Sequence, residues 1–189
     1  PVGKKELISK MKMQGNRQQI LRELELLVID EISMVRADVL DAIDTVLRHY
    51  RYRDREPFGG VQVIFIGDMF QLSPVAKRDE LQILLSCYEG IHFFNSHVMQ
   101  QVPMVYIELD KVFRQKNAEF IHILDEVRMN RLSPQSQAKL ESTYNPNFTP
   151  KEKDTYITLT THNYKADSIN SAELKKIEGK SLKYSAEVK

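Results

Sequence analysis

Two short apolar runs of this sequence each end in residues that can do chemistry. Leu26–Ile29 precede Asp30 and Glu31, and "VIFIG" precedes Asp68, with Gln71 shortly after it. A short run rich in Leu, Val and Ile predicts a strand of a parallel sheet that is buried on both faces. Ligands bind at the carboxyl ends of such strands. The pattern therefore indicates a metal ion, a general base and a polar sensor at one sheet edge, as a nucleotide triphosphatase requires.

The elements that must position these residues alternate between helix and strand. Apolar residues at helical spacing predict helices over 16–25, 36–50, 117–130 and 165–177, and apolar runs predict strands over 26–29, 61–68, 104–109 and 155–163. In the second helix the apolar stripe holds Val39, Leu40, Ile43, Val46, Leu47 and Tyr50, and Asp44 lies off it. In the third, the inward residues are Phe120, Ile121, Leu124 and Val127. This order predicts an α/β fold with a parallel sheet flanked by helices.

Composition excludes several classes of protein and site. The chain has 27 basic and 26 acidic residues, so its net charge of +1 gives no global case for or against nucleic-acid binding. Cys87 is the only cysteine, which excludes an intrachain disulfide and a cysteine-based zinc site. No apolar run approaches the roughly 20 residues that span a bilayer, and no signal-peptide core follows the first lysines. We expect a soluble protein of the bacterial cytoplasm, or of the nucleus or mitochondrion in a eukaryote.

Three motifs in order resemble those of a known family. "LLVIDEISMVRADVLDAID", "PFGGVQVIFIGDMFQLSPV" and "LDKVFRQ" look like motifs II, III and IV of the PIF family of DNA helicases, in the RecD-like branch of helicase superfamily one. A weaker likeness, "TLTTHNYKADSIN", resembles the stretch that opens the second motor domain of that family. The resemblance implies a RecA-like P-loop NTPase fold. Residues 1–132 would be the later part of the first motor domain, and 133–189 a linker and the beginning of the second.

The resemblance also implies a role for each site residue. Asp30 would coordinate Mg²⁺ through water, Asp68 would help to hold the Mg²⁺ side of the site, and Glu31 would activate the hydrolytic water. Gln71 would contact the γ-phosphate of ATP, and Arg114 would act as an arginine finger. The partners implied are single-stranded DNA and DNA forks, with 5′-to-3′ translocation, and the implied processes are DNA repair, replication and telomere maintenance.

One departure from the family pattern affects what the chain can do alone. The family needs a phosphate-binding loop, G-x-x-x-x-G-K-[ST], and the sequence has none before Asp30. The only candidate, "GKS" at Gly179–Ser181, fails because Leu174 stands where the first glycine belongs. We therefore expect an internal fragment of a helicase that is inactive by itself. The full-length protein would be monomeric, whereas the isolated chain is prone to self-association.

Simpler interpretations exist for these residues, and Asp30 and Glu31 are also explained as a solvated strand end. Gln71 is also explained as a turn residue, and Arg114 as a surface arginine paired with Asp110 or Glu119. The stretch "RHYRYRDRE" is equally typical of DNA contact and of a solvated helix end. Phe93 and Phe94 are assigned to the core rather than to base stacking. For the whole chain, the alternatives are a domain that binds DNA or protein without catalysis, and a P-loop ATPase without unwinding activity.

Overall fold

The computed structural model describes residues 3–11, 13, 15–148, 156–177, 179, 182, 184 and 185. The chain divides into two compact units, Pro1–Ala138 and Lys139–Lys189. The first holds α1 (Lys4–Lys10), α2 (Gly15–Glu23), β1 (Leu26–Ile29), α3 (Ala37–Arg51), β2 (Gln62–Phe65), α4 (Arg78–Leu85) and α5 (Ala118–Arg128). The unit boundary lies within α6 (Pro134–Ser142), and the second unit contains α7 (Asn163–Leu174). Single 3₁₀ turns occupy Ile32–Met34, Pro57–Gly60, Phe93–Asn95 and Met99–Gln101.

The sheet of the first unit consists of β1 and β2, which pair in parallel. Leu26 lies opposite Gln62 and Ile29 lies opposite Phe65, so the two strands begin and end together. A parallel pair needs a crossover connection, and α3 supplies it. The predicted α/β class and the parallel pairing of these two runs are confirmed.

The core lies between the sheet and α3. Its buried side chains come from the crossover helix, the turns and the loop that follows α4: Ile32, Leu40, Leu47, Phe58, Val61, Phe93 and Val98. Phe93 therefore belongs to the core, as predicted, whereas Phe94 is half-exposed and stacks on His92.

The predicted apolar stripe of α3 is largely confirmed, since Leu40, Val46, Leu47 and Tyr50 are buried, whereas that of α5 is not. In α3, Val39 is exposed and Asp44 is 5% exposed, because its carboxylate binds groups beneath the helix. In α5 the one buried residue is Ile123, whereas Phe120, Leu124 and Val127, which the periodicity assigns inward, are largely exposed. Apolar residues occupy a wide stripe of α5. Neighbouring residues bury Ile123, which the helical periodicity does not assign to the core.

Within the described residues the sheet is covered on one face only, whereas the composition of its strands predicts burial on both faces. Leu26, Val28 and Ile64 are 44%, 50% and 41% exposed, and they alternate with half-buried neighbours along each strand. A strand presents alternate residues to opposite faces, so these side chains share the open face. Composition predicts that a strand is apolar on both sides, but not that an element covers each side.

Two predicted strands are not formed. Residues 104–109 and 156–160 carry no strand assignment, and most of their side chains are exposed; Val105 is 90% and Leu159 91% exposed. A strand needs the backbone of a neighbour to satisfy its hydrogen bonds, and none lies beside these segments in the part of the chain that the structure describes.

Candidate hydrolytic edge of the sheet

The loops that leave β1 and β2 lie against each other. The Ile66 amide donates to the Ile29 carbonyl at 2.9 Å, and the Ile32 amide donates to the Ile66 carbonyl at 2.9 Å. Gly67 packs so closely on the loop after β1 that a Cβ at this position would lie 3.0 Å from the Ile32 amide nitrogen. These contacts bring the segment that carries Asp30 and Glu31 next to the segment that carries Asp68.

Glu31 occupies a backbone conformation that is rare for its residue type. Its φ and ψ angles are 51° and 43°, in the left-handed region, immediately before the Ile32–Met34 turn. For a residue with a Cβ this conformation costs roughly 1–2 kcal/mol, and such strain concentrates at functional sites. The conformation turns the chain sharply at the sheet edge and leaves the Glu31 side chain exposed.

Asp30 is also exposed, and its carboxylate is only partly engaged. The Oδ1 atom accepts the Glu31 amide at 2.8 Å, and Oδ2 accepts no hydrogen bond from the described residues. Carboxylate oxygens are the ligands that Mg²⁺ prefers. The donor set at Asp30 and Glu31 therefore fits such an ion, although the described residues contain no group of three or more acidic, His or Cys side chains in ligating positions.

Asp68 is the centre of a small network in the loop after β2. Its Oδ1 atom accepts the Phe70 amide at 3.0 Å, and its Oδ2 atom accepts the Gln71 side-chain amide at 3.3 Å. The Arg128 guanidinium reaches the same carboxylate with Nε at 3.3 Å from Oδ2 and Nη2 at 3.4 Å from Oδ1. Partial burial opposes ionisation, but the hydrogen bonds from Phe70 and Gln71 and the charge of Arg128 outweigh it and hold the pKa of Asp68 below its usual value.

The predicted site residues fall into two groups. Asp30, Glu31, Asp68 and Gln71 follow strands that end at one sheet edge, as expected. Arg114 lies elsewhere in the chain's course, in the irregular segment before α5, and is exposed. Its side chain forms no hydrogen bond or ion pair with any residue in the described ranges, so the surface pairing with Asp110 is not formed. The individual roles of all five residues stay predictions.

The arginines of "RHYRYRDRE" mostly serve the fold. Arg48 pairs with Asp44 at 2.8 Å, and Arg51 donates to four backbone carbonyls, among them those of Gly59 and Leu24. Arg53 pairs with Glu56 at 3.1 Å. Of the two interpretations left open by the sequence, these contacts favour the structural one.

Arg128 is the site residue that sequence reasoning did not find. It ends α5, and its Cζ atom lies 5.0 Å from the centroid of the Phe70 ring. No spacing rule connects a residue of α5 with a carboxylate in the loop after β2, so the sequence carries no local signal for this pair.

Among the described helices, none is both long and apolar enough to cross a membrane.

Comparison with known proteins supplies the family. The family model described as PIF1-like helicase matches residues 1–137. The ATP-dependent DNA helicase RRM3 of Saccharomyces cerevisiae is 38% identical over 128 residues, which are 68% of this chain and 17% of that protein. The human ATP-dependent DNA helicase PIF1 is 34% identical over 160 residues, 85% of this chain and 23% of that protein. The chain thus spans about a fifth of the length of these curated relatives.

Solved structures show the same likeness. The Pif1 helicase from Bacteroides, crystallised with ADP-AlF3 and single-stranded DNA, superposes with a TM-score of 0.79 at 40% identity, covering 89% of this chain and 39% of that one. The Pif1 helicase from Candida albicans gives a TM-score of 0.74 at 29% identity, covering 94% of this chain and 38% of that one. This likeness confirms the RecA-like fold expected from the motifs. The chain belongs to the family of PIF1-like helicases.

Proposed function

We propose that this chain is a segment of an ATP-dependent DNA helicase and that its sheet edge carries the hydrolytic half of the ATP site. The observation that carries the proposal is the joint ending of β1 and β2, which sets Asp30 and Glu31 beside the loop of Asp68 and Gln71. Hydrolysis needs a metal-side carboxylate, a base and a γ-phosphate sensor within one small volume. Residues of these types follow the two adjacent strand ends.

Each residue has a distinct task in this proposal. Asp30, whose Oδ2 atom accepts no hydrogen bond from the described residues, lies on the metal side, and Asp68 supports that side from the neighbouring loop. Bound Mg²⁺ would neutralise charge on the β- and γ-phosphates. Glu31, exposed and next to Asp30, accepts the proton of the attacking water. Gln71 contacts the γ-phosphate, and Arg114 acts as the arginine finger.

The relatives support the proposed partners, and the polarity rests on the motif resemblance. One structure of Pif1 helicase from Bacteroides is a complex with ADP-AlF3 and single-stranded DNA, and a further structure concerns DNA unwinding at forked duplex DNA by two coordinating Pif1 helicases. We infer that the complete protein binds ATP, single-stranded DNA and forks and moves 5′ to 3′. Its processes would be repair, replication and telomere maintenance, in the bacterial cytoplasm or in a nucleus or mitochondrion. Residues 1–132 would belong to the first motor domain, and 133–189 would be a linker and the start of the second.

This chain supplies only part of an ATP site. The sequence contains no G-x-x-x-x-G-K-[ST] segment, whose backbone amides and lysine hold most of the triphosphate. The carboxylates at the sheet edge can bind a metal ion and activate water, but they do not bind the phosphates. We therefore infer that this chain in isolation neither hydrolyses ATP nor unwinds DNA.

A strand-displacement assay on the complete protein tests the proposal. Forked duplexes with a free 5′ tail should be unwound when ATP and Mg²⁺ are present, and duplexes with only a 3′ tail should not. A DNA-stimulated ATPase that displaces no strand from either substrate would support a P-loop ATPase without unwinding activity. DNA binding with no ATPase would support a non-catalytic binding domain and would contradict the proposal.

A further inference from the structure

We propose that Arg128 is a positioning residue that holds the Gln71 side chain in place through Asp68 and Phe70. The inference rests on the role proposed above for Gln71 as γ-phosphate sensor. Arg128 forms no hydrogen bond or ion pair with Glu31 or Gln71; its side chain contacts Asp68 and Phe70. Its effect would be exerted on the loop that presents the sensor.

The geometry of the Arg128 contact suits a positioning role. Two nitrogens of the Arg128 guanidinium face the two oxygens of Asp68, at 3.3 and 3.4 Å, while the same guanidinium lies over the Phe70 ring. A planar guanidinium can pair side-on with a carboxylate and contact an aromatic ring together, which a lysine ammonium does not reproduce. An isolated surface ion pair contributes little, but this arginine contacts two residues of one short loop.

Asp68 in turn binds Gln71. Both the backbone and the side chain of Gln71 bind Asp68: the Gln71 amide donates to the Asp68 carbonyl at 3.1 Å, and Gln71 Nε2 donates to Asp68 Oδ2 at 3.3 Å. Arg128 Nε lies close to the same Oδ2 atom. The Asp68 carboxylate therefore binds both the Arg128 guanidinium and the Gln71 side-chain amide, and its position determines where both groups lie.

Arg128 is placed between two segments of the proposed site. It ends α5, where a cation is favoured by the helix dipole, and α5 begins at Ala118, soon after Arg114. One helix thus connects the segment of the proposed arginine finger with the loop of the proposed sensor. The core of the fold does not require this contact, since Arg128 and Phe70 are both largely exposed.

The test measures DNA-stimulated ATP turnover in the complete protein with Arg128→Ala, Gln71→Ala and the double variant. Arg131→Ala is the matched control, because Arg131 is exposed and its side chain forms no hydrogen bond or ion pair with the described residues. We expect Arg128→Ala to lower kcat about 10- to 100-fold, the scale of a misplaced catalytic group, with the KM for ATP within about twofold. Arg131→Ala should match wild type.

The double variant separates positioning from general damage. If Arg128 acts through Gln71, the double variant is no slower than Gln71→Ala alone, because coupled residues are not additive. A double variant that loses the product of the two single effects would overturn the inference. So would a normal kcat for Arg128→Ala beside an impaired Gln71→Ala. A normal Gln71→Ala would instead overturn the sensor role itself, and the positioning role with it.

Two further measurements keep the test independent of catalysis and of folding. Hydrogen exchange at the Phe70 and Gln71 amides should accelerate several-fold in Arg128→Ala and remain unchanged in Arg131→Ala; unchanged exchange in both contradicts the inference. If Arg128→Ala does not fold, Arg128→Lys keeps the charge and loses the side-on pairing. We expect a few-fold fall in its kcat at unchanged KM, and wild-type turnover would overturn the inference.

Discussion

At the scale of the residue, the sheet edge combines strain with exposure. Glu31 adopts a left-handed backbone conformation, and neither its carboxylate nor that of Asp30 forms an ion pair with the described residues. Stability alone would favour glycine at the Glu31 position, because glycine adopts a positive φ at no steric cost. A carboxylate kept in this conformation at the end of a strand is explained by its proposed reaction with water.

Arg114 provides the residue-scale prediction for the proposed arginine finger. In the complete protein, Arg114→Ala should lower ATP turnover by roughly 10³ to 10⁵, the range attributed to arginine fingers, with little change in nucleotide affinity. Steady-state kinetics and nucleotide titration measure the two quantities. Lys116→Ala, in the same exposed segment, is the control. Turnover within a few-fold of wild type would show that Arg114 is an ordinary surface arginine.

At the scale of the element, the α3 crossover depends on one buried carboxylate. Asp44 accepts the Phe58 amide at 2.6 Å and the Arg48 Nε at 2.8 Å, and it thereby joins α3 to the Pro57–Gly60 turn. Asp44→Ala should lower the free energy of unfolding by about 3–5 kcal/mol, because it leaves a mostly buried arginine without its partner. Urea denaturation measures the loss. Glu6→Ala, which removes an exposed pair with Lys10, should cost under about 1 kcal/mol.

The turn before β2 offers a matched pair of glycines. Gly59 and Gly60 have φ angles of +60° and +74°, but a Cβ at Gly59 would lie 2.7 Å from the Leu47 carbonyl oxygen, whereas at Gly60 it would meet the ends of the Glu56 and Arg53 side chains. Both alanine variants pay about 1 kcal/mol for the positive φ. Gly59→Ala should cost roughly 1–3 kcal/mol more, because backbone cannot move aside as flexible side chains can. Equal unfolding midpoints for the two variants would contradict this packing.

Elements were predictable from sequence where local pattern and partner coincide. The runs before Asp30 and Asp68 form the two parallel strands that their composition predicts. The run at 104–109 has the same composition but no neighbouring strand in the described residues, and it stays unpaired. Strand composition is a local property and strand pairing is not. For the same reason the sequence predicts Asp68 and Gln71 near one edge, but not Arg128, which the fold brings there from a distant helix.

At the scale of the whole molecule, the open face of the sheet governs how the isolated chain behaves. Val28 and Ile64 are adjacent on this face and are 50% and 41% exposed. Exposed apolar surface of this kind favours association. We expect the chain to form dimers or larger species as its concentration rises, and Val28→Thr with Ile64→Thr to weaken this. Light scattering measures the effect, with Leu159→Thr, in the second unit, as the control. A monomer at all concentrations would contradict the expectation.

Glu31→Gln in the complete protein tests most directly whether the residues that follow β1 and β2 hydrolyse ATP. The amide keeps the shape of the side chain and cannot accept the proton of water, so turnover should fall about 10²- to 10⁴-fold. Binding of ATP and Mg²⁺, measured by calorimetry on the same sample, should stay at the wild-type level. Turnover near the wild-type rate with intact nucleotide binding would contradict the account.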